Sequence, residues 1–121
     1  MRRSVLFAAA AIAGLAFASA ALADNTEGMV GNTSVCSGPD GTTKVYLESG
    51  GAFTLTLPNG QSITGTAHDD GSQICYTETN PAPPAGTAPV CTPSVNRKVG
   101  DTWNVEARGA SQACTLQAGR Q

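Results

Sequence analysis

Alternation of apolar and polar residues is clearest at residues 52–57, where Phe53, Leu55 and Leu57 alternate with Thr54 and Thr56. Successive side chains leave a strand on opposite faces, so this period of two predicts a strand with one face buried. The same period recurs more weakly at 43–48, where Val45 and Leu47 alternate with Lys44, Tyr46 and Glu48. It recurs at 102–108, where Trp103, Val105 and Ala107 alternate with Asn104, Glu106 and Arg108. At 73–79 it turns Ile74 and Tyr76 inward and Cys75 outward. Strands are also predicted at 33–37, 61–68, 91–95 and 113–118, where Thr and Val are frequent. The breaks between them are Gly38-Pro39-Asp40-Gly41, Ser49-Gly50-Gly51, Pro58-Asn59-Gly60, Asp69-Asp70-Gly71, residues 96–101 and Gly109-Ala110-Ser111. Pro presets φ and Gly tolerates positive φ, so most of these read as tight turns.

No window of residues 24–121 carries an apolar stripe of helical period. The fold expected is therefore all-β, an antiparallel meander of about eight strands. Open sheet edges invite aggregation, so the sheet should close or nearly close into a small barrel, with a two-sheet sandwich as the alternative. Its interior would be Phe53, Leu55, Leu57, Ile63, Ile74, Tyr76, Trp103, Val105 and Leu116. That set is small for eight strands, so the barrel is either narrow and filled or slightly hollow.

The first residues change the picture of where the chain acts. Arg2 and Arg3 precede an alanine-rich apolar run from Val5 to Leu22, and Ala21-Leu22-Ala23 supplies a small-x-small cleavage site. Residues 1–23 read as a cleaved signal peptide, with residues 24–121 as one domain and a periplasmic or secreted location. Cleavage removes Arg2 and Arg3 and leaves five basic against nine acidic residues, a net charge near −4. The remaining cations are scattered, which argues against nucleic acid and against an anionic membrane surface.

Cys36, Cys75, Cys91 and Cys114 all fall in the mature part. In an exported chain an even number of cysteines implies disulfides. The expected pairing is Cys75–Cys91 and Cys36–Cys114. The first closes a loop, 80–90, whose Pro-Ala-Gly composition no helix or sheet can absorb, and is worth about 3 kcal/mol in the chain-entropy model. The second joins the first and last strands, neighbours in a closed meander, and by the same model is worth about 4–5 kcal/mol.

Candidate chemistry is sparse. His68-Asp69-Asp70-Gly71 places the lone histidine beside two carboxylates. Neighbouring residues on a strand face opposite ways, however, and Asp-Asp-Gly reads as a turn. No Gly-x-Ser-x-Gly turn surrounds Ser34, Ser62 or Ser72, and paired cysteines offer neither a thiolate nor a zinc set. Glu48, Glu78, Asp101 and Glu106 show no spacing that brings them together. No catalytic residue, metal site or cofactor is expected. Trp103 reads first as the largest core residue and second, with Phe53 and Tyr76, as the lining of a ligand pocket.

Gly38-Pro39-Asp40-Gly41-Thr42, Asn59-Gly60-Gln61-Ser62-Ile63-Thr64-Gly65-Thr66, Asp70-Gly71-Ser72-Gln73-Ile74-Cys75, the Pro-rich segment ending at Cys91, and Val99-Gly100-Asp101-Thr102-Trp103 form a series. It resembles small exported bacterial β-proteins of unknown function that have an Asp-Gly-x-x-Cys hairpin and a Pro-rich disulfide loop. In that pattern an aromatic stands where this chain has Ala67, which implies one core contact fewer. The resemblance concerns turns and cysteines, so it bears on fold and not on activity. The function expected is that of an exported non-enzymatic domain, a protein-binding or inhibitor-like module of the cell envelope. Small disulfide-bonded barrel inhibitors are analogous at the level of fold alone. The alternative is a carrier of a small apolar ligand in the barrel interior, and a hydrolase comes third. The partner is accordingly an envelope protein or a small apolar ligand, and the protein is expected to be a monomer.

Overall fold

The computed structural model describes residues 24–107 and 109–121. The signal-peptide reading of residues 1–23 and the assignment of Arg108 to a strand lie outside the described residues. Eight strands form one antiparallel sheet: β1 (Thr33–Gly38), β2 (Gly41–Leu47), β3 (Ala52–Thr56), β4 (Ser62–Asp69), β5 (Gln73–Asn80), β6 (Val90–Pro93), β7 (Thr102–Ala107) and β8 (Ala110–Gln117). Each pairs with its neighbour in sequence, except that β6 and β7 are unpaired and β8 returns to pair with β1. The sheet thus curls into a nearly closed barrel with one seam. There the Cα atoms of β6 and β7 approach within 8 Å.

The seam falls at β6–β7 for a local reason. Its strand β6 is four residues long and ends at Pro93, which has no N–H to give to a ladder. The chain then takes residues 94–101 to reach β7, where every other connection but the Pro-rich loop is a tight turn. Two of those turns are shorter than the sequence suggested. Gly38 pairs with Gly41 and Ala107 with Ala110, so both hairpins turn on two residues. Gly109 supplies a positive φ, 77°, within its loop, whereas in the first hairpin the positive φ, 115°, falls on Gly41 just after the Pro39-Asp40 turn.

The interior follows the period of two. In β4 the alternation is complete, with Ile63, Gly65, Ala67 and Asp69 buried and their neighbours exposed. Two of those four are small, and at Gly65 both backbone and an aromatic leave no room: a Cβ there would collide with the Thr77 carbonyl oxygen. A Cβ on Gly65 would stand 2.8 and 2.9 Å from Phe53 ring atoms. Phe53 in turn meets Tyr76 edge to face at 5.3 Å, and Tyr76 is the ladder partner of Ala67. Ala67, beside Tyr76 in the ladder, is 2% exposed.

Leu47, Phe53, Leu55, Ile63, Ile74 and Leu116 form the main core with Met29 and Ala67. Leu57, Tyr76 and Trp103 are only partly buried against it, and Val105 is half-buried. Met29 belongs to an element the sequence did not suggest, a 3-10 helix over Asp24–Met29. Its Met29 and Thr26 are buried and border the barrel interior. Gly31 N–H donates to Leu47 O at 2.7 Å, and Asn32 Nδ2 donates to Gly28 O at 2.8 Å. Six residues are too short for an apolar period to show.

Both disulfides are cross-strand: Cys36–Cys114 joins β1 to β8 and Cys75–Cys91 joins β5 to β6, with Cα atoms 4.0 Å apart in each. Cys36 and Cys114 are buried inside the barrel, whereas Cys75 is half-buried and Cys91 exposed.

Candidate functional site

The site is built from inward positions of the strands flanking the seam. Parity sends Ile74 and Tyr76 of β5, Val90 and Thr92 of β6, Trp103 and Val105 of β7, and Gln112 and Cys114 of β8 into the barrel. None of the inward residues of β6 or β7 named here is fully buried. Between these strands and Phe53, Leu55 and Val45 opposite lies a cavity of about 110 Å³. Its lining includes the exposed Pro93 and Val95, so that side meets solvent. Phe53, Tyr76 and Trp103, the three aromatics singled out in the sequence, all line it. Strand β4 does not, because Phe53 and Tyr76 cover its small residues.

The one cation in the cavity lining among the described residues was missed. Arg97 lies in the segment between β6 and β7, and its guanidinium carbon sits 4.0 Å from the centre of the Trp103 ring. It makes no hydrogen bond and no ion pair among the described residues. Partial burial lowers its pKa from the ordinary 12.5, against the opposing effects of Asp101 and Tyr76. The 94–101 segment is itself fixed in place. The backbone of Arg97 lies against Gly28, where a Cβ would collide with the Arg97 carbonyl. Lys98 N–H donates to Asp101 Oδ2 at 3.0 Å, and Gly100 N–H donates to Leu116 O at 2.9 Å.

Tyr76 retains some accessible surface because it borders the cavity. Its phenol is nonetheless desolvated, which pushes its pKa up to about 12; Arg97 pulls the other way and Asp69 adds to the rise. Asp69 is a buried carboxylate, 2% exposed. Its oxygens accept from Gly71 N–H at 2.8 Å and from the Ser94 hydroxyl at 2.7 Å. The Ser94 bond ties the β4–β5 turn to the start of the seam segment.

The other sequence candidates lie apart. His68 is exposed on the outer face of β4 while Asp69 faces in. Asp70 is held below the usual 3.8 by the backbone N–H groups of Gln73 and Ser72 and by the Ser72 hydroxyl. That is the work of a turn-forming aspartate. Ser34 lines the cavity, far in register from the exterior His68, and Ser62 and Ser72 are exposed. Of the four carboxylates named, Glu78 borders the cavity and Asp101 acts on Arg97, while Glu48 and Glu106 are exposed. Among the described residues no three His, Cys, Asp or Glu side chains gather as metal ligands.

These features define a small disulfide-stapled β-barrel, open along one seam, with an internal cavity walled by an arginine–tryptophan stack. No protein-family model matches the chain, and no curated protein or solved structure is significantly similar to it.

Proposed function

We propose that this protein is a non-catalytic binding barrel of an oxidising, extracytoplasmic compartment, which takes the apolar part of a small ligand into its interior. The observation that carries the reading is the cavity of about 110 Å³ lined by Phe53, Tyr76 and Trp103. An eight-stranded barrel has an interior just wide enough either to be filled by side chains or to hold one small ligand. Here the inward residues of β6 and β7 leave space unfilled. A cavity on the order of 150 Å³ in a protein core takes up benzene, so a cavity of about 110 Å³ bordered by the exposed Pro93 and Val95 takes in at most one ring. The two disulfides suit an oxidising location, and among the described residues no helix is long and apolar enough to cross a membrane.

Trp103 is the sole tryptophan and reports on the site directly. Titration of the oxidised protein with toluene should change its fluorescence saturably and raise the melting temperature. No saturable change and no thermal shift would overturn the proposal.

A second reading, a protein-contact or inhibitor-like module, is favoured by residues 81–89. This segment stands almost wholly exposed between two disulfide-linked strands. It carries its own turn, in which Thr87 N–H and Oγ1 both donate to Pro84 O, at 3.2 and 2.7 Å. Loss of an envelope crosslink on replacing 82–88 by a Gly-Ser loop would support that reading over the first.

A further inference from the structure

Arg97 is out of place in a purely apolar pocket. Placing a cation at a partly desolvated wall costs free energy unless it is paired, yet the guanidinium has the Trp103 ring beneath it and only the through-space charge of Asp101, with no hydrogen bond to a carboxylate among the described residues. A guanidinium over an indole keeps its N–H edges free for a planar acceptor. The carboxylates around it have partners of their own, and Asp101 reaches it through charge alone. Asp101 accepts from Lys98 N–H, Asp69 accepts from Ser94 and Gly71, and Glu78 already has a partner. The Tyr76 phenol faces the same region and keeps its proton throughout the neutral range, so it is available as a donor.

We propose that the ligand carries a carboxylate, received by the Arg97 guanidinium at the Trp103 side of the cavity, with its apolar ring against Phe53, Leu55 and Val105. This rests on the ligand-binding reading above and adds to it the charge of the ligand. A carboxylate matches the forked donors of arginine in two parallel bonds. The cavity admits about one ring behind it, which selects small aromatic or short branched carboxylates over fatty acids. The exposed Val95 and Pro93 beside Arg97 give such a molecule an apolar approach to the charge.

The test uses the intact oxidised protein and three ligands of one shape, benzoate, benzamide and benzylamine, with toluene as the uncharged reference, each read by Trp103 fluorescence. Benzoate should bind at least about 10-fold more tightly than benzamide, as a charge-assisted pair requires, and benzylamine most weakly. Raising the salt should narrow the gap. In Arg97→Gln, benzoate should lose its preference and bind no more tightly than benzamide; Arg97→Lys, which keeps the charge and loses the fork, should lie between. If Arg97→Gln does not fold, the charge series on the wild-type protein decides alone. Benzamide equal to or tighter than benzoate, or benzylamine tightest of the three, overturns the proposal. Toluene binding without benzoate binding sinks the carboxylate and leaves the apolar site standing. Failure of toluene itself sinks the site.

Discussion

The barrel has two unlike walls. Along β2, β3 and β4 most inward side chains are covered: Leu47, Phe53, Leu55, Ile63 and Ala67 are all buried, although Phe53 and Leu55 also border the cavity, and the strands are paired on both sides. Along β6 and β7 none of Val90, Thr92, Trp103 and Val105 is fully buried, and each strand has one unpaired edge. Both walls are built from the same alternation of inward and outward residues. What differs is the support behind the inward residues: a strand paired on both sides brings two neighbours to cover each one, and a seam strand brings one. One wall therefore carries stability and the other offers space.

The largest effect expected is on the bond that holds β8 to β1 and so supports the seam side from within. Cys36→Ala with Cys114→Ala should cost about 4–5 kcal/mol in denaturant unfolding, since it releases a loop of nearly the whole domain. Loss of Cys75–Cys91 should cost about 3 kcal/mol. Equal losses would mean that loop length is not what these bridges act through.

A direct contrast of the walls comes next. Phe53→Ala should destabilise by about 3–5 kcal/mol, while Val105→Ala, a smaller truncation of a half-buried side chain, should cost about 1 kcal/mol or less. If the two are similar, the cavity collapses readily and the contrast between the walls is lost.

Alkaline pH probes the cavity side alone. The folded state holds the Tyr76 proton up to about pH 12, whereas the unfolded chain loses it at the ordinary 10.0. The stability this contributes is present in full below pH 10 and is lost as pH rises from 10 to 12. The loss is at most about 3 kcal/mol, from the roughly 1.4 kcal/mol carried by each pKa unit. Tyr76→Phe should flatten that part of the stability curve, and a wild-type slope that survives the substitution would contradict the assignment.

A local effect is expected where Ser94 ties the seam segment to the β4–β5 turn. Ser94→Ala leaves one oxygen of the buried Asp69 without its 2.7 Å partner and should cost about 1–2 kcal/mol. It should also make amide exchange faster in residues 94–101 than in β3.

Legibility in the sequence followed the same division. Strand β3 showed plainly because Phe53, Leu55 and Leu57 are large and their neighbours are threonines. Strand β4 has the most regular burial in the molecule, yet its inward set includes Gly65, Ala67 and Asp69, which hydropathy does not register. Its place was found from the turns that flank it. The 3-10 helix left no trace, since a single Met29 has no period. Of the cavity wall, Phe53, Tyr76 and Trp103 were nameable because aromatics on inward positions of a barrel must line its interior. Arg97 was not, because nothing in a stretch of polar and apolar residues between two strands says which side chain folds back over Trp103.

Alternation, turn residues and four cysteines in a chain with few large apolar residues were enough to determine the all-β class, the order of the strands and the pairing of the sulfurs. Those are properties of neighbours along the chain and of parity, and each is written locally. The position of the seam, the unfilled space beside it and the cation that faces it were decided only in three dimensions. They depend on where a short strand stops, how the following segment crosses the end of the barrel, and which side chains are left without a second neighbour to cover them.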